Sequence, residues 1–339
     1  MALNHLKRKI RPIDPVATRS PNELVTALSG CSFQGRSLSF ALDVWETMCR
    51  DKECVRVISL AGAMVPAGMG LVVIRLMEAG LLDAIVCTGA TVSHDLCNLV
   101  DQEEQAHFIG HEHEDDEVLR AEEINRIYDT YLPETAFRNA EQAVAALLPT
   151  FSYDSEADGI LTLTTARFME QLGAGLKGTG ILTVAARRGV RIFVPAISDS
   201  ELGLNVLAAN TKGVLGDGRR VVFDTLGDVD AFSQMIAKGP RHAGLVTVGG
   251  GVPRNWAQQV YPYLNMKAAT QEDVADGYHY GVRITTDRPE FGGLSGCTIS
   301  ESKSWGKYEN EAVEASVVCD ATIAFPLLTS ALFERLSVD

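Results

Sequence analysis

The sequence predicts an α/β fold: a doubly wound, mostly parallel sheet of six or more strands with helices on both faces, Rossmann-like in outline. Two observations carry this. Six short apolar runs each stop at glycine or a small polar residue, and helical stretches separate several of them. The runs are nearly continuous in Val, Ile and Leu rather than alternating, as strands covered on both faces require.

Taken in order, residues 21–50 carry apolar side chains at spacings of three and four (Leu24, Leu28, Leu38, Phe40, Ala41, Val44, Trp45, Met48), a helical docking element ahead of the sheet. Cys54–Leu60 reads as a buried strand broken by Ala61-Gly62-Ala63, and Pro66-Ala67-Gly68 opens a helix to about Ala79. The unit repeats: Leu82–Cys87 ends at Thr88-Gly89-Ala90-Thr91, with a helix from about Ser93. Further strands are Arg191–Pro195, ending at Ser198-Asp199, Gly244–Val248, ending at Gly249-Gly250-Gly251, Gly281–Thr285, ending at Thr286-Asp287, and Ser316–Asp320. Between the second and third runs lies a predominantly helical insertion, residues 97–190. It holds an acidic, histidine-bearing segment (Asp101–Asp116) and helices around Glu122–Tyr131, Phe137–Leu148 and Ala166–Leu172. The reading is a loose arm over residues 1–20 and one domain over 21–335.

Composition narrows the function. The 339 residues are 46% hydrophobic and 22% charged, ordinary for a globular protein. Thirty basic against 44 acidic residues give a net charge of -14, which repels nucleic acids and anionic membrane surfaces and favours cationic partners such as polyamines. Seven cysteines without a Cys-x-x-Cys pair, several inside apolar runs, point to packed thiols in a reducing compartment. With no signal-peptide core and no long apolar span, the expectation is a cytoplasmic protein. His107, His111 and His113 stand among Glu104, Glu112, Asp115 and Asp116. Lacking the fixed spacing of a metal site, they read as a solvated loop able to form a lid, with no metal.

In such sheets ligands bind beyond the carboxyl ends of the strands, where the singled-out residues are expected to lie. Gly62, Gly89 and Gly249–Gly251 supply glycine turns opening helices, where close amides and the helix dipole suit a pyrophosphate. No Gly-x-Gly-x-x-Gly fingerprint accompanies them, and a plain tight connection is the alternative. Near the C-terminus, Glu301-Ser-Lys-Ser-Trp305-Gly-Lys307 sets a lysine beside an indole. Held dry, Lys307 can lose its proton and attack a carbonyl or imine carbon. Otherwise the motif is a surface turn with a solvated lysine.

That stretch, with Asp320-Ala321 and Phe325-Pro-Leu-Leu328 beyond it, resembles the C-terminal signature of the deoxyhypusine synthase family. Ile124-Asn-Arg-Ile127 with Pro133, Pro195-Ala196 with Asp199 and Leu202-Gly203, and Gly249-Gly-Gly251 recur in the family's order, so the resemblance spans roughly residues 25–335. It implies NAD as cofactor, bound by Thr88, Asp199, Gly249, Gly250, Thr286, Asp320 and Ala321, to which the glycine turn adds Gly89 as a further cofactor contact. It also implies Lys307 as covalent imine carrier in an aminobutyl transfer from a polyamine, Trp305 as cation-binding wall, and Glu301 as partner of a substrate ammonium. A homotetramer with active sites between subunits is implied too, with a lysine of a translation factor as a candidate protein acceptor.

The departures from the family fall mostly in the substrate pocket. Ala61-Gly62-Ala63 replaces Thr-Ser-Asn, Leu204 and Leu294 stand where the family has aspartates, His94 replaces a glutamate, Asn255 a histidine and Arg283 a tyrosine. A polyamine needs an anion or acceptors at each ammonium. Three readings stay open: the polyamine transferase, with Glu201, Glu290 or Glu301 supplying the anions; a homospermidine synthase or an enzyme for another amine, such as one whose carboxylate Arg283 binds bidentately; and a catalytically idle NAD-binding protein.

Overall fold

The computed structural model describes residues 8–101, 105–239, 241–270 and 275–338. Twelve strands are present among them: β1 Cys54–Leu60, β2 Ala84–Cys87, β3 Phe108–Ile109, β4 Ile124–Ile127, β5 Thr130–Pro133, β6 Ser155–Ala157, β7 Ile160–Leu163, β8 Arg191–Phe193, β9 Arg220–Phe223, β10 His242–Val248, β11 Tyr278–Thr285 and β12 Tyr308–Val318. Six of them form one parallel sheet flanked by helices, in the order β12-β11-β10-β1-β2-β8. All six runs read from the sequence are in it. β2 is buried at every position, and β1, β10 and β11 at all but one, because helices cover both faces. β12 sits at the edge and alternates buried with exposed residues along much of its length.

The chain gathers into two compact units, residues 1–58, 236–251 and 261–339 in one and 59–235 and 252–260 in the other. In the first, helices Pro21–Leu28, Phe33–Arg50 and Ala321–Leu336 pack together. Trp45 stacks on Phe325 with centroids 6.2 Å apart, both fully buried. Met48 presses so closely on β10 that a Cβ at Gly244 would come within 2.2 Å of its sulfur, so only glycine fits there. Arg335 ties the three helices by donating to Asn22, Asp43 and Glu46.

In the second unit two buried carboxylates serve as helix caps. Asp95 accepts from the backbone N–H groups of Ile181 and Leu182 at 2.8 Å each, at the start of helix Ile181–Arg188. Asp228 accepts from Thr165 and Ala166 at 2.9 and 3.0 Å, at the start of helix Thr165–Gly175. Each satisfies orphan donors and places negative charge on a dipole's positive end. Burial still raises the Asp95 carboxyl to about 6, against the pull of the two N–H groups.

The sequence reading fails locally in three places. The helix expected around Glu122–Tyr131 is a hairpin: β4 pairs antiparallel with β5, turning through Tyr128, whose φ of 54° is left-handed. Isoleucines and tyrosines spaced three or four apart imitate a helix there, but cross-strand pairing wins. The helix expected from Pro66 is Gly70–Glu78, because Gly68 at φ +82° breaks the right-handed path. The expected helix from Ser93 instead begins at Gly89, directly after β2. The insertion is also less helical than expected, carrying β3 to β7 in two small sheets, β3-β5-β4 and β6-β7-β9. Helices Glu134–Leu147 and Thr165–Gly175 match the other two expectations.

Asp95→Ala should cost about 1–3 kcal/mol of unfolding free energy by stranding two buried donors. Urea denaturation followed by circular dichroism would measure it, and an unchanged midpoint would mean that the cap is dispensable.

Candidate functional site

Three strand ends of the first unit carry the glycines and acids singled out above. Gly249, at φ +81°, donates to the Ile284 carbonyl at 2.8 Å, and Gly251, at φ +62°, opens helix Gly251–Gln258. A Cβ on Gly250 would lie 2.6 Å from that of Ser295, so the backbone turn is tight as well as bare. Beyond β11, Thr286 is exposed. Beyond β12, exposed Asp320 caps helix Ala321–Leu336, accepting from the Thr322 N–H at 2.7 Å and from the Thr322 hydroxyl at 2.5 Å. Ala321, half-buried, is that helix's first residue.

In the second unit, Thr88 precedes helix Gly89–Val100 but caps no N–H with its side chain, which instead lies 3.2 Å from the Thr91 hydroxyl. A Cβ on Gly89 would collide with Ser200 at 2.2 Å. Ser200 caps helix Glu201–Thr211, whose Leu202 N–H is taken by Ser93 at 3.0 Å. Two helix N-termini are thereby brought together, with Asp199 exposed alongside. The start of helix Gly89–Val100, which has no side-chain cap, together with the exposed Asp199 carboxylate, offers donors and an acceptor of the kind that suit pyrophosphate and ribose hydroxyls. Asn255 is half-buried on helix Gly251–Gln258, and Leu204 is 51% exposed.

Lys307 does not share those strand ends. Thr298 caps the short helix Ile299–Lys303, on which Glu301 is exposed, and Gly306 turns the chain at φ +66° into β12. The Ser302 carbonyl accepts from the N–H of Trp305 and of Lys307, each at 3.2 Å, and the Lys307 carbonyl accepts from Tyr278 at 3.0 Å. The lysine therefore stands at the amino ends of β11 and β12, contrary to the expected carboxyl-end placement, because it precedes a strand instead of following one. β11 is eight residues long, and at about 3.3 Å per residue the two edges lie roughly 25 Å apart. Lys307 is only 9% exposed, with its ammonium 5.7 Å from the centroid of the 65%-exposed Trp305 ring, within cation–π range.

Two polar residues of the expected substrate pocket have other partners. Arg283 is buried and donates through Nη2 to the Ser295 carbonyl, anchoring the loop that carries half-exposed Leu294. The His94 imidazole lies 3.0 Å from that of His107, whose Nδ1 is 2.8 Å from the Asn98 side-chain oxygen. Burial pushes both rings down to about 4. His107 was expected in a solvated loop and is instead buried, whereas His111 and His113 are exposed. Glu104, assigned to the same loop, lies outside the described residues. Among the described residues no three His, Cys, Asp or Glu side chains are placed to hold a metal ion, and no helix is long and apolar enough to cross a membrane.

The sequence reading missed a set of side chains at the amino edge of the sheet. His242 meets Asp51 at 2.7 Å, His279 meets Glu309 at 2.6 Å, and the two imidazoles stack at 4.3 Å. The partners are 191 and 30 residues apart in the chain, so no local motif announces them.

A parallel sheet flanked by helices, with glycine turns opening helices at its strand ends, defines a Rossmann-like α/β protein. Within that class, the deoxyhypusine synthase family model matches residues 23–332, and the chain belongs to that family. A probable deoxyhypusine synthase 2 from Methanosarcina mazei is 36% identical over 329 residues, covering 96% of this chain and 89% of the relative. A crystal structure from Entamoeba histolytica, provisionally assigned as a deoxyhypusine synthase, matches with TM-score 0.63 at 16% identity, covering 96% of this chain and 97% of that one. The ternary complex of AgrE with ornithine and NAD+ matches with TM-score 0.52 at 14% identity, covering 90% of this chain and 34% of that one. At such identities the two structures speak for the fold alone.

The histidine pair makes a pH prediction. A folded value near 4 below an unfolded value of about 6.5 means that stability is fully present above pH ~6.5 and is lost as pH falls through ~4. Asp95, raised from 3.8 to about 6, has the opposite slope, so the two partly cancel. The double variant His94→Phe/His107→Leu should therefore lose less stability than the unsubstituted protein between pH 7 and 4. Equal slopes in urea titrations at those pH values would refute the assignment.

Proposed function

We propose that the protein is an NAD-dependent aminoalkyl transferase of the deoxyhypusine synthase type, acting on a polyamine or related amine, with Lys307 as covalent carrier. The observation that carries this is a lysine 9% exposed and 5.7 Å from an indole face, in the motif from which the family resemblance starts. A desolvated ammonium gives up its proton more readily than one in water. Thr88, Gly89, Asp199, Gly249, Gly250, Thr286, Asp320 and Ala321 are the proposed contacts of NAD, which when bound would accept a hydride from the donor amine and give it back at the end. Lys307 then attacks the carbon of the oxidised donor. Its nitrogen forms a bond to that carbon, the bond to the departing amine breaks, and the proton lost by lysine leaves with that amine. The acceptor amine reverses the exchange, freeing Lys307. Trp305 and Glu301 steady the cationic ends of the chain.

Within one unit the lysine and the strand ends assigned to NAD lie at opposite edges of the sheet, which supports a site completed by another copy of the chain in a homo-oligomer. The seven cysteines are all free, which accords with a cytoplasmic setting. A protein lysine is one candidate acceptor. A second reading, an amine carrying its own carboxylate, is favoured by the half-exposed Leu204 and Leu294 where the family has acids. Arg283, engaged with a backbone carbonyl, favours the first reading.

Incubation with NAD and spermidine, followed by borohydride, should attach a four-carbon amine to Lys307, detectable by peptide mass spectrometry. Lys307→Ala should abolish labelling and lower turnover by roughly a thousandfold or more while leaving thermal unfolding unchanged. Labelling by carboxylated amines in preference to spermidine would select the second reading. No labelling by any amine, with NAD still bound, would leave an idle dinucleotide-binding protein.

A further inference from the structure

The strand that follows Lys307 is held in an unusual way. Tyr278 pairs with Tyr308, but the next pairing joins Tyr280 to Val313. β12 thus spends three more residues than β11 over this interval, a bulge spanning Glu309 to Ala312 opposite His279 alone. Glu309 is tied to the His279 ring at 2.6 Å, and Lys303 holds the Asn310 carbonyl at 3.1 Å. Behind the bulge, a Cβ on Gly277 would lie 2.6 Å from the Tyr308 carbonyl carbon and 2.8 Å from the Glu309 nitrogen, so strand and bulge are in close contact. The His279 ring is fixed in turn by stacking on His242, which is held by Asp51, itself an acceptor from Tyr280 at 3.1 Å. The same edge lines an open cleft of about 590 Å³ that includes Asp276, His279, Gly306, Tyr308 and Glu309.

We propose that His279 is a positioning residue for Lys307: through Glu309 it sets where β12 begins and hence where the lysine amine is presented. This rests on the reading of Lys307 as the covalent carrier. Lys307 and Glu309 are separated only by Tyr308, whose ring is buried and cannot swing outward without breaking the core. Releasing Glu309 would let the bulge relax towards the cleft and draw the lysine with it. Misplacement of a reacting group by about 1 Å can cost up to a hundredfold in rate.

The test uses the full chain and two independent readouts of Lys307. One is borohydride-trapped labelling with NAD and spermidine. The other is reductive methylation by formaldehyde and cyanoborohydride without NAD, scored by peptide mass spectrometry against exposed Lys177 as internal reference. His279→Ala should slow the first about tenfold at an unchanged half-saturating spermidine concentration, and should change the methylation rate of Lys307 but not of Lys177. His279→Gln, which keeps a donor for Glu309, should restore both to within about threefold. Glu309→Asp, which shortens the arm, supplies the same comparison should the alanine variant fail to fold. Unchanged Lys307 methylation in folded His279→Ala and Glu309→Asp, or no rescue by glutamine, overturns the proposal. Methylation that responds to His279 while no amine ever labels Lys307 with NAD would instead uphold the positioning role and remove the transferase reading.

Discussion

The parallel register of β10, β11 and β12 is the constraint that decides where the candidate site residues stand. Gly244 pairs with Tyr280 and Val248 with Ile284 on one side of β11, and Val282 pairs with Ala315 on the other. Parallel strands put all amino ends on one edge and all carboxyl ends on the other. Lys307 enters β12 at the first edge and Asp320 leaves beyond the second, so the backbone holds the buried lysine and the glycine-lined strand ends apart.

The helix starts sort by what already occupies them. Asp95 and Asp228 place buried carboxylates on helices Ile181–Arg188 and Thr165–Gly175, and those ends are spent on stability. Helix Gly89–Val100 follows a threonine that caps nothing, and its opening glycine abuts the cap of a second helix. Of the helices that follow main-sheet strands, Gly89–Val100 has no side-chain cap, whereas Ser200 and Asp320 cap the helices they precede.

Much of this was legible in the residues. Nearly unbroken Val, Ile and Leu runs marked all six strands of the main sheet, because a strand covered on both faces has no polar side to present. Ser-Trp-Gly-Lys marked a lysine beside an indole, and Asp320 marked the end of the last strand. Less legible were short strands such as Ile124–Ile127, whose apolar spacing satisfies a helix as well as a hairpin. Only the left-handed turn at Tyr128 and the pairing with β5 decide between them.

By itself, then, the sequence determined the six strands of the main sheet and the family, since these depend on side-chain type and local spacing. Tertiary structure alone decided that His94 turns to His107, that Arg283 anchors the Ser295 loop, that His279 meets Glu309, and that Lys307 lies at the amino edge. Partners and edges are set by strand register and chain direction, which join residues distant in sequence and leave no periodic trace in it.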